Sequence, residues 1–319
     1  MTGAVAGDWI CRSGRNAAAR GARRGALLRC AVALAGLSAA ALVLSQSPSA
    51  AAWLAGAADD PALAALKSKY EIKDSAGDVL EAQNWAGYAV ASNFKDAPKP
   101  MISGVAAEWT VPELGKPGKT SVGLAQWVGI GGLLREDENM LQAGILAEIH
   151  AGYPQYLARI TMRPGTNKML PDVPVEPGDR MAVSINAVEG TPDTWRVVVE
   201  NKTKNAKIDQ NIQFHSNRLT AEWVPFERPR DAGQYMLPPD LKKEIRMEKC
   251  RFFVDGTSVA IDSVPHIAAM NRCAFKGLMY VPSRDIKNDS FAIKVIPFSQ
   301  PLYEQMLKNR TPYKTIEQW

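Results

Sequence analysis

From residue 83 onward the sequence predicts an all-β fold, an antiparallel two-sheet β-sandwich with few short helices. Short apolar runs rich in Val, Ile and aromatics recur, Gly, Pro, Asn and Asp punctuate them, and long amphipathic helices are scarce. The runs are Trp85–Ser92, Gly104–Val111, Leu124–Ile130, Met181–Val188, Trp195–Glu200, Ala206–Phe214, Leu219–Val224 and Phe291–Ile296. Met181–Asn186 and Trp195–Glu200 alternate with the period of a half-buried strand. Pro177-Gly178-Asp179 and Asn201–Asn205 read as turns. Only Pro239–Met247 and Pro301–Lys308 read as helical within this region.

Residues 1–52 read as an export signal. An Arg-rich stretch ends at Arg29, an apolar stretch of fifteen residues runs from Cys30 to Leu44, and small residues suited to cleavage follow at Ser47–Ala52. The apolar stretch is shorter than the ~20 residues of a membrane span. An ordinary secretory signal fits best; Arg23-Arg24 leaves twin-arginine export open, and a retained signal anchor is a third reading. Residues 53–82, rich in Ala, Leu, Lys and Asp, are a linker or pro-segment in which Pro61–Leu66 could begin a helix. Residues 83–319 form one domain, within the ~200–250 residues that β-sandwiches reach. The mature protein is expected outside the cytoplasm, secreted or periplasmic, monomeric and free of the membrane.

The net charge of +5 belongs to the leader. Removing residues 1–52 takes away six arginines and Asp8, leaving 32 basic and 32 acidic residues. A chain without excess positive charge is not a nucleic-acid binder. Of four cysteines, Cys11 and Cys30 leave with the leader. In an exported chain the remaining pair, Cys250 and Cys273, is expected as a disulfide closing a loop of about 20 residues, worth roughly 2–4 kcal/mol.

The chemistry available is narrow. The three histidines, His150, His215 and His266, have no ligand spacing, so neither a metal nor a cofactor is expected. There is no GxSxG elbow, no Asp-Thr-Gly or Asp-Ser-Gly pair, no GxGxxG and no P-loop. An enzyme built from this chain uses carboxyl, amide and hydroxyl groups. Two segments offer them in strand-like surroundings: Trp127–Ile130 with Leu141-Gln142-Ala143-Gly144, and Ala221-Glu222-Trp223 running to Glu227-Arg228-Pro229.

These segments, with Asn84-Trp85-Ala86-Gly87-Tyr88, Glu108-Trp109-Thr110-Val111-Pro112, the Pro177-Gly178-Asp179 turn, Val199–Thr203 and Asn288–Phe291, occur in the order found in one family. The chain resembles the glutamic peptidases, or eqolisins, in particular a bacterial-type member, over about residues 83–297. The resemblance implies a concanavalin-like sandwich with a cleft on its concave side, a polypeptide substrate, no cofactor, and acid endopeptidase activity. It implies Gln142 and Glu227 as the catalytic pair, with Trp127 and Trp85 lining the cleft and Glu222 beside them. Glu227 as carboxylate would deprotonate an attacking water and then pass the proton to the leaving amine; Gln142 would donate to the oxyanion.

Departures from the family pattern at Gly131, Thr161, Arg159 and Arg163 support another reading, an inactive sandwich binding peptide or glycan in the cleft. Gly131 stands where the family has Asp. Thr161 replaces a Glu, and Arg159 and Arg163 replace aromatics. The interval from Glu222 to Glu227 is one residue longer than usual, which on a regular strand would turn Glu227 to the other face. A bulge at Pro225 would restore its facing. The sequon-like Asn201-Lys202-Thr203 and Asn288-Asp289-Ser290 read as turn asparagines.

Overall fold

A computed structural model of the chain describes residues 60–72, 78–82, 84–94, 98–114, 123–134, 136–150, 153–227, 244–264, 266–273, 278–283, 286–297 and 301. The expected export signal lies outside them. One helix, α1 (Pro61–Lys69), precedes the strands β1 (Asp78–Ala82), β2 (Trp85–Ala91), β3 (Ile102–Thr110), β4 (Gly123–Ile130), β5 (Met140–His150), β6 (Tyr153–Arg163), β7 (Asn167–Pro174) and β8 (Arg180–Ala187). Then follow β9 (Thr194–Asn201), β10 (Ala206–Gln213), β11 (Thr220–Glu227), β12 (Ile245–Val254), β13 (Thr257–Ala260), β14 (His266–Cys273), β15 (Leu278–Pro282) and β16 (Phe291–Pro297). All eight strands expected from apolar runs are present.

The main ladder runs β10-β9-β8-β3-β12-β16-β15-β14-β2-β11-β4-β5-β6-β7, every neighbour antiparallel. It doubles over into two layers. β11 lies against β3 and β12, and β4 and β5 lie against β8. The alternation of side chains explains why. Val128 and Ile130 on β4, Leu141, Ala143 and Ile145 on β5, and Tyr88 and Val90 on β2 all face inward to one buried core. Across it Trp223 meets Phe252 edge-on at 6.3 Å and donates its indole N–H to the Ala106 carbonyl at 2.9 Å. Phe226 stacks on Tyr280 at 4.0 Å. Burying such aromatics is the dominant stabilising term of a sandwich.

β11 contains a bulge. Its pairing with β2 runs from Thr220↔Ala91 to Trp223↔Tyr88 and resumes at Phe226↔Ala86, so three residues of β11 span two of β2. On β4 the same shift falls between Val224↔Trp127 and Glu227↔Ala125. The extra residue keeps Trp223 and Phe226 in the core and Val224 on the outer face with Glu222 and Glu227. Gly87 makes room, since a Cβ there would lie 2.1 Å from the Trp223 carbonyl oxygen.

Residues 60–72 and 78–82 are built onto the domain. Leu63, Leu66 and Tyr70 pack on the core, Ile72 is buried, and β1 pairs parallel with β14. Lys69 and the Tyr70 hydroxyl both bond Asp255, at 2.6 and 2.7 Å. Asn201 is a turn asparagine: its side chain donates to the Pro174 carbonyl and Asp179 and accepts from the backbone N–H of Thr203 and Lys204.

Two expectations are corrected. The end of the expected helix Pro239–Met247 is strand, because Ile245 and Met247 are buried on one side of β12 while Arg246 is exposed; residues 239–243 lie outside the described residues, as does Pro301–Lys308 beyond Pro301. The Cys250–Cys273 disulfide is not formed. Cys250 is a free, buried thiol on β12, and β14, which ends at Cys273, lies three places away across β16 and β15. Three strand spacings make on the order of 14 Å, beyond the ~7 Å between Cα atoms that a disulfide can bridge.

On β3, opposite Glu248 of β12, Glu108 accepts from Lys202, Lys249 and Arg180 at 2.6, 2.7 and 3.2 Å. Partial burial raises its pKa, but the three cations outweigh this and hold it at about 2. A depressed pKa contributes stability above the unfolded value near 4.5 that is lost as pH falls through about 2. Glu108→Gln is therefore expected to lower the thermal midpoint above pH 5, with the difference closing between pH 4.5 and 2 in pH-resolved melts. Deleting Pro225 should leave a regular β11 with Glu227 still facing outward and a midpoint within a few degrees of the parent. Inserting one Ala after Pro225 should turn Glu227 into the core and cost several kcal/mol, as an unpaired buried carboxylate does, measured by denaturant unfolding.

Candidate active site

The outer face of β2, β11, β4 and β5 carries a second apolar cluster that includes Trp85, Ala89, Ala125, Trp127, Leu133 and Val224. Set into it is a cavity of about 20 Å³ lined by Trp85, Trp127, Gly131, Gly132, Leu133, Met140, Gln142, Glu222 and Glu227. All five site residues singled out in the sequence thus line one cavity. Its size suits a single water molecule, which needs roughly 10–15 Å³.

Trp127 organises the site. Its Nε1 donates to Glu227 Oε2 at 2.6 Å, and Asn84 Nδ2 donates to Glu227 Oε1 at 3.2 Å. The opposite edge of the indole lies over Gly129, where a Cβ would meet Trp127 Cζ3 at 2.8 Å and Gln142 Cγ at 3.3 Å. Glu227 and Gln142 therefore stand at the two edges of one indole. By register their Cα atoms are two strands and four residues apart, about 16 Å. The two groups meet only through extended side chains and a molecule between them. Gln142 Nε2 rests on Met140 Sδ at 2.7 Å. A thioether is a weak acceptor, so the amide proton can pass to a better one at small cost.

Glu222 sits differently. Gln142, Gly129 and Glu222 form one row across β5, β4 and β11, which puts the Cα atoms of Gln142 and Glu222 about 10 Å apart. Glu222 is 2% exposed, and neither carboxyl oxygen has a hydrogen-bond partner. Burial pushes its pKa well above the usual carboxylate range; the neighbouring Thr220 opposes this without making a well-formed bond, and the charge of Asp137 adds to it.

Asp137 escaped the sequence reading. It is fully buried and accepts from the backbone N–H of Asn217 and Leu219, both at 3.3 Å. Gly131, where the family pattern has Asp, has φ +76°, and a Cβ there would collide with the Asn139 carbonyl at 2.2 Å. The same point is 3.0 and 3.1 Å from the Asp137 carboxylate oxygens. A carboxyl group thus occupies this place from six residues downstream. Nothing in the local sequence signals it, because the 131–140 loop must fold back before the two positions meet. Burial raises the Asp137 pKa to about 6 against the pull of the two backbone donors and His215.

The other departures also lie on the site's side of the sheet. Thr161 is opposite Gln142 and Arg159 opposite Gly144 on β6, and Arg163 is opposite Met140. Thr161 is buried, Arg159 half-buried and Arg163 exposed. A larger concavity, about 870 Å³, lies between the turns at 187–194 and 255–256. Of its charged groups, Arg218 bonds the Ile102 carbonyl, Asp193 faces His215, and Asp255 holds Lys69 and Tyr70.

The sequence profile of the Peptidase A4 family matches residues 83–267, more than half of the chain. The chain belongs to the peptidase A4 family. It is by family a hydrolase of peptide bonds, an endopeptidase of the glutamic (eqolisin) kind acting on polypeptides. No curated protein matches the chain. Among solved structures it is similar to scytalido-glutamic peptidase with a transition state analog inhibitor and to the same peptidase with a peptide-based transition state analog. In each case identity is 18% and the TM-score 0.52, over 67% of this chain and 98% of that one. It is also similar to SCP-B, an eqolisin in complex with the tripeptide Ala-Ile-His, at 18% identity and a TM-score of 0.49 over 67% and 98%. The two scytalido-glutamic peptidase likenesses support the same β-sandwich fold. Among the described residues no helix is long and apolar enough to cross a membrane.

Because the folded state holds the Asp137 proton more tightly than the unfolded chain, its contribution to stability is full below about pH 3.8 and is lost as pH rises through 6. Relative to Asp137→Asn, the parent peptidase should lose roughly 3 kcal/mol between pH 4 and pH 7, measured by urea unfolding at each pH.

Proposed function

We propose that this peptidase is an exported acid endopeptidase in which Glu227 is the general base and Gln142 the oxyanion donor. The observation that carries the reading is the shared cavity: one carboxylate and one amide at the two edges of Trp127, facing a space of water size. Two N–H donors, from Trp127 and Asn84, orient the Glu227 carboxylate. A water bound to it loses a proton to Glu227 as its oxygen attacks the scissile carbonyl carbon. The carbonyl oxygen takes up negative charge and is met by the Gln142 N–H, which leaves Met140 Sδ to do so. As the tetrahedral intermediate collapses, the C–N bond breaks and Glu227 returns the proton to the amine. Glutamine does not titrate, so the donor is unchanged in acid.

Export through the N-terminal signal, and action as a monomer outside the cytoplasm, complete the reading. The apolar run at 30–44 and the balanced charge of residues 53–319 support it. The departures at Gly131 and the long 222–227 interval lose their weight as signs of inactivity, because Asp137 and the β11 bulge compensate both.

The test is cleavage of a denatured protein at pH 3–5 in the presence of pepstatin. Gln142→Ala is expected to lower kcat by about 10²–10³-fold, and Glu227→Ala by at least about 10²–10⁴-fold. No cleavage at any pH, or cleavage that survives both substitutions, would overturn the mechanism.

A further inference from the structure

Glu222 has no role in that mechanism, although it lines the same cavity, is buried, and has no partner for either oxygen. It lies in the same row as Gln142, with the side-chain-free Gly129 between them, so the two side chains rise from one sheet face and flank the same edge of the indole. The groups that face it are the Thr220 hydroxyl, two residues earlier on β11, the Asp137 carboxyl, and Glu227 across the cavity. No cation is among them. An isolated carboxylate in such a place would carry a large desolvation cost, which a proton removes. A protonated carboxyl has an O–H to donate, and here that O–H has no protein acceptor of proper geometry.

We infer that Glu222 is a second oxyanion donor: held as the neutral acid, it gives its O–H to the carbonyl oxygen that Gln142 binds from the other side of Gly129. This deepens the peptidase reading above and rests on it. The two carboxyl groups of the cavity then divide the work by environment. Glu227, served by two N–H donors, is the anionic base; Glu222, served by none, is the neutral donor. The division matches a general pattern in which two carboxyls of one site are driven apart to serve as acid and base.

The experiment compares Glu222→Gln, Glu222→Leu and Glu227→Gln by kcat and KM on one peptide substrate across pH 3–7. Infrared difference spectra of the Glu222 variants against the parent accompany the kinetics. An amide also donates, so Glu222→Gln should keep kcat within about tenfold. Glu222→Leu should lower kcat by about 10²–10³-fold with KM little changed. The parent should show a protonated-carboxyl band at pH 5 that Glu222→Gln removes. If Glu222→Leu is as active as the parent, or the band is unchanged by Glu222→Gln, the inference is wrong and the Glu227 reading stands. If Glu222→Gln abolishes activity while Glu227→Gln spares it, Glu222 is the base, and both the inference and the assignment of Glu227 fall. Should Glu222→Leu not fold, the Glu222→Gln kinetics and the infrared band decide alone.

Discussion

The side-chain period of a β-strand is two, and the fold and site of this peptidase both hang on how β11 keeps it. Trp223 and Phe226 fill the core against Phe252 and Tyr280. Glu222 and Glu227 face the cavity on the other side. The two glutamates are five positions apart, an odd offset, and a regular strand would send one of them into the core. The bulge between Trp223 and Phe226 absorbs the extra residue, with Pro225 removing a ladder donor where pairing is already broken. Core and site are thus coupled through one backbone irregularity. A change that moved Glu227 would also expel Phe226, so the packing energy of the core fixes the facing of the carboxylate.

Electrostatics divide the molecule in a second way. Glu108 gathers Lys202, Lys249 and Arg180 and remains charged far into acid. Around the cavity the opposite rule holds: Asp137 and Glu222 are buried with no ion pair among the described residues, and each favours its proton. The first arrangement contributes stability that fades between about pH 4.5 and 2, as acid protonates its carboxylate; the second contributes stability in acid that is lost as pH rises and its carboxyls ionise. The two pull the stability optimum in opposite directions, the first toward pH above about 4.5 and the second toward acid.

Much of this was legible in the sequence. Alternating apolar runs located eight strands, and the residues around Gln142 and Glu227 located the cavity. The parts that were not legible share a cause. Ile245–Met247 read as helix because three residues carry too little period, and tertiary pairing with β3 and β16 decided for strand. The cysteine pair suggested a disulfide because sequence separation says nothing of the two strands that lie between. The docking of α1 was not legible either, because the helix buries no residue fully; Leu63, Leu66 and Tyr70 rest on the core and the distant Asp255 holds Lys69 and Tyr70.

Asp137 shows most clearly what pattern matching along a chain misses. A site needs a carboxyl group at a point in space, and a motif records only the residue that usually delivers it. At Gly131 the backbone turns through positive φ and approaches the Asn139 carbonyl too closely for any side chain. That turn is what brings Asp137 back under β11, where the N–H groups of Asn217 and Leu219 hold it. The missing Asp and the recovered one are consequences of a single loop conformation. A glycine at position 131 is therefore no sign of a decayed site. It is the condition that lets the carboxyl arrive from position 137, adjacent to Glu222 and out of contact with solvent.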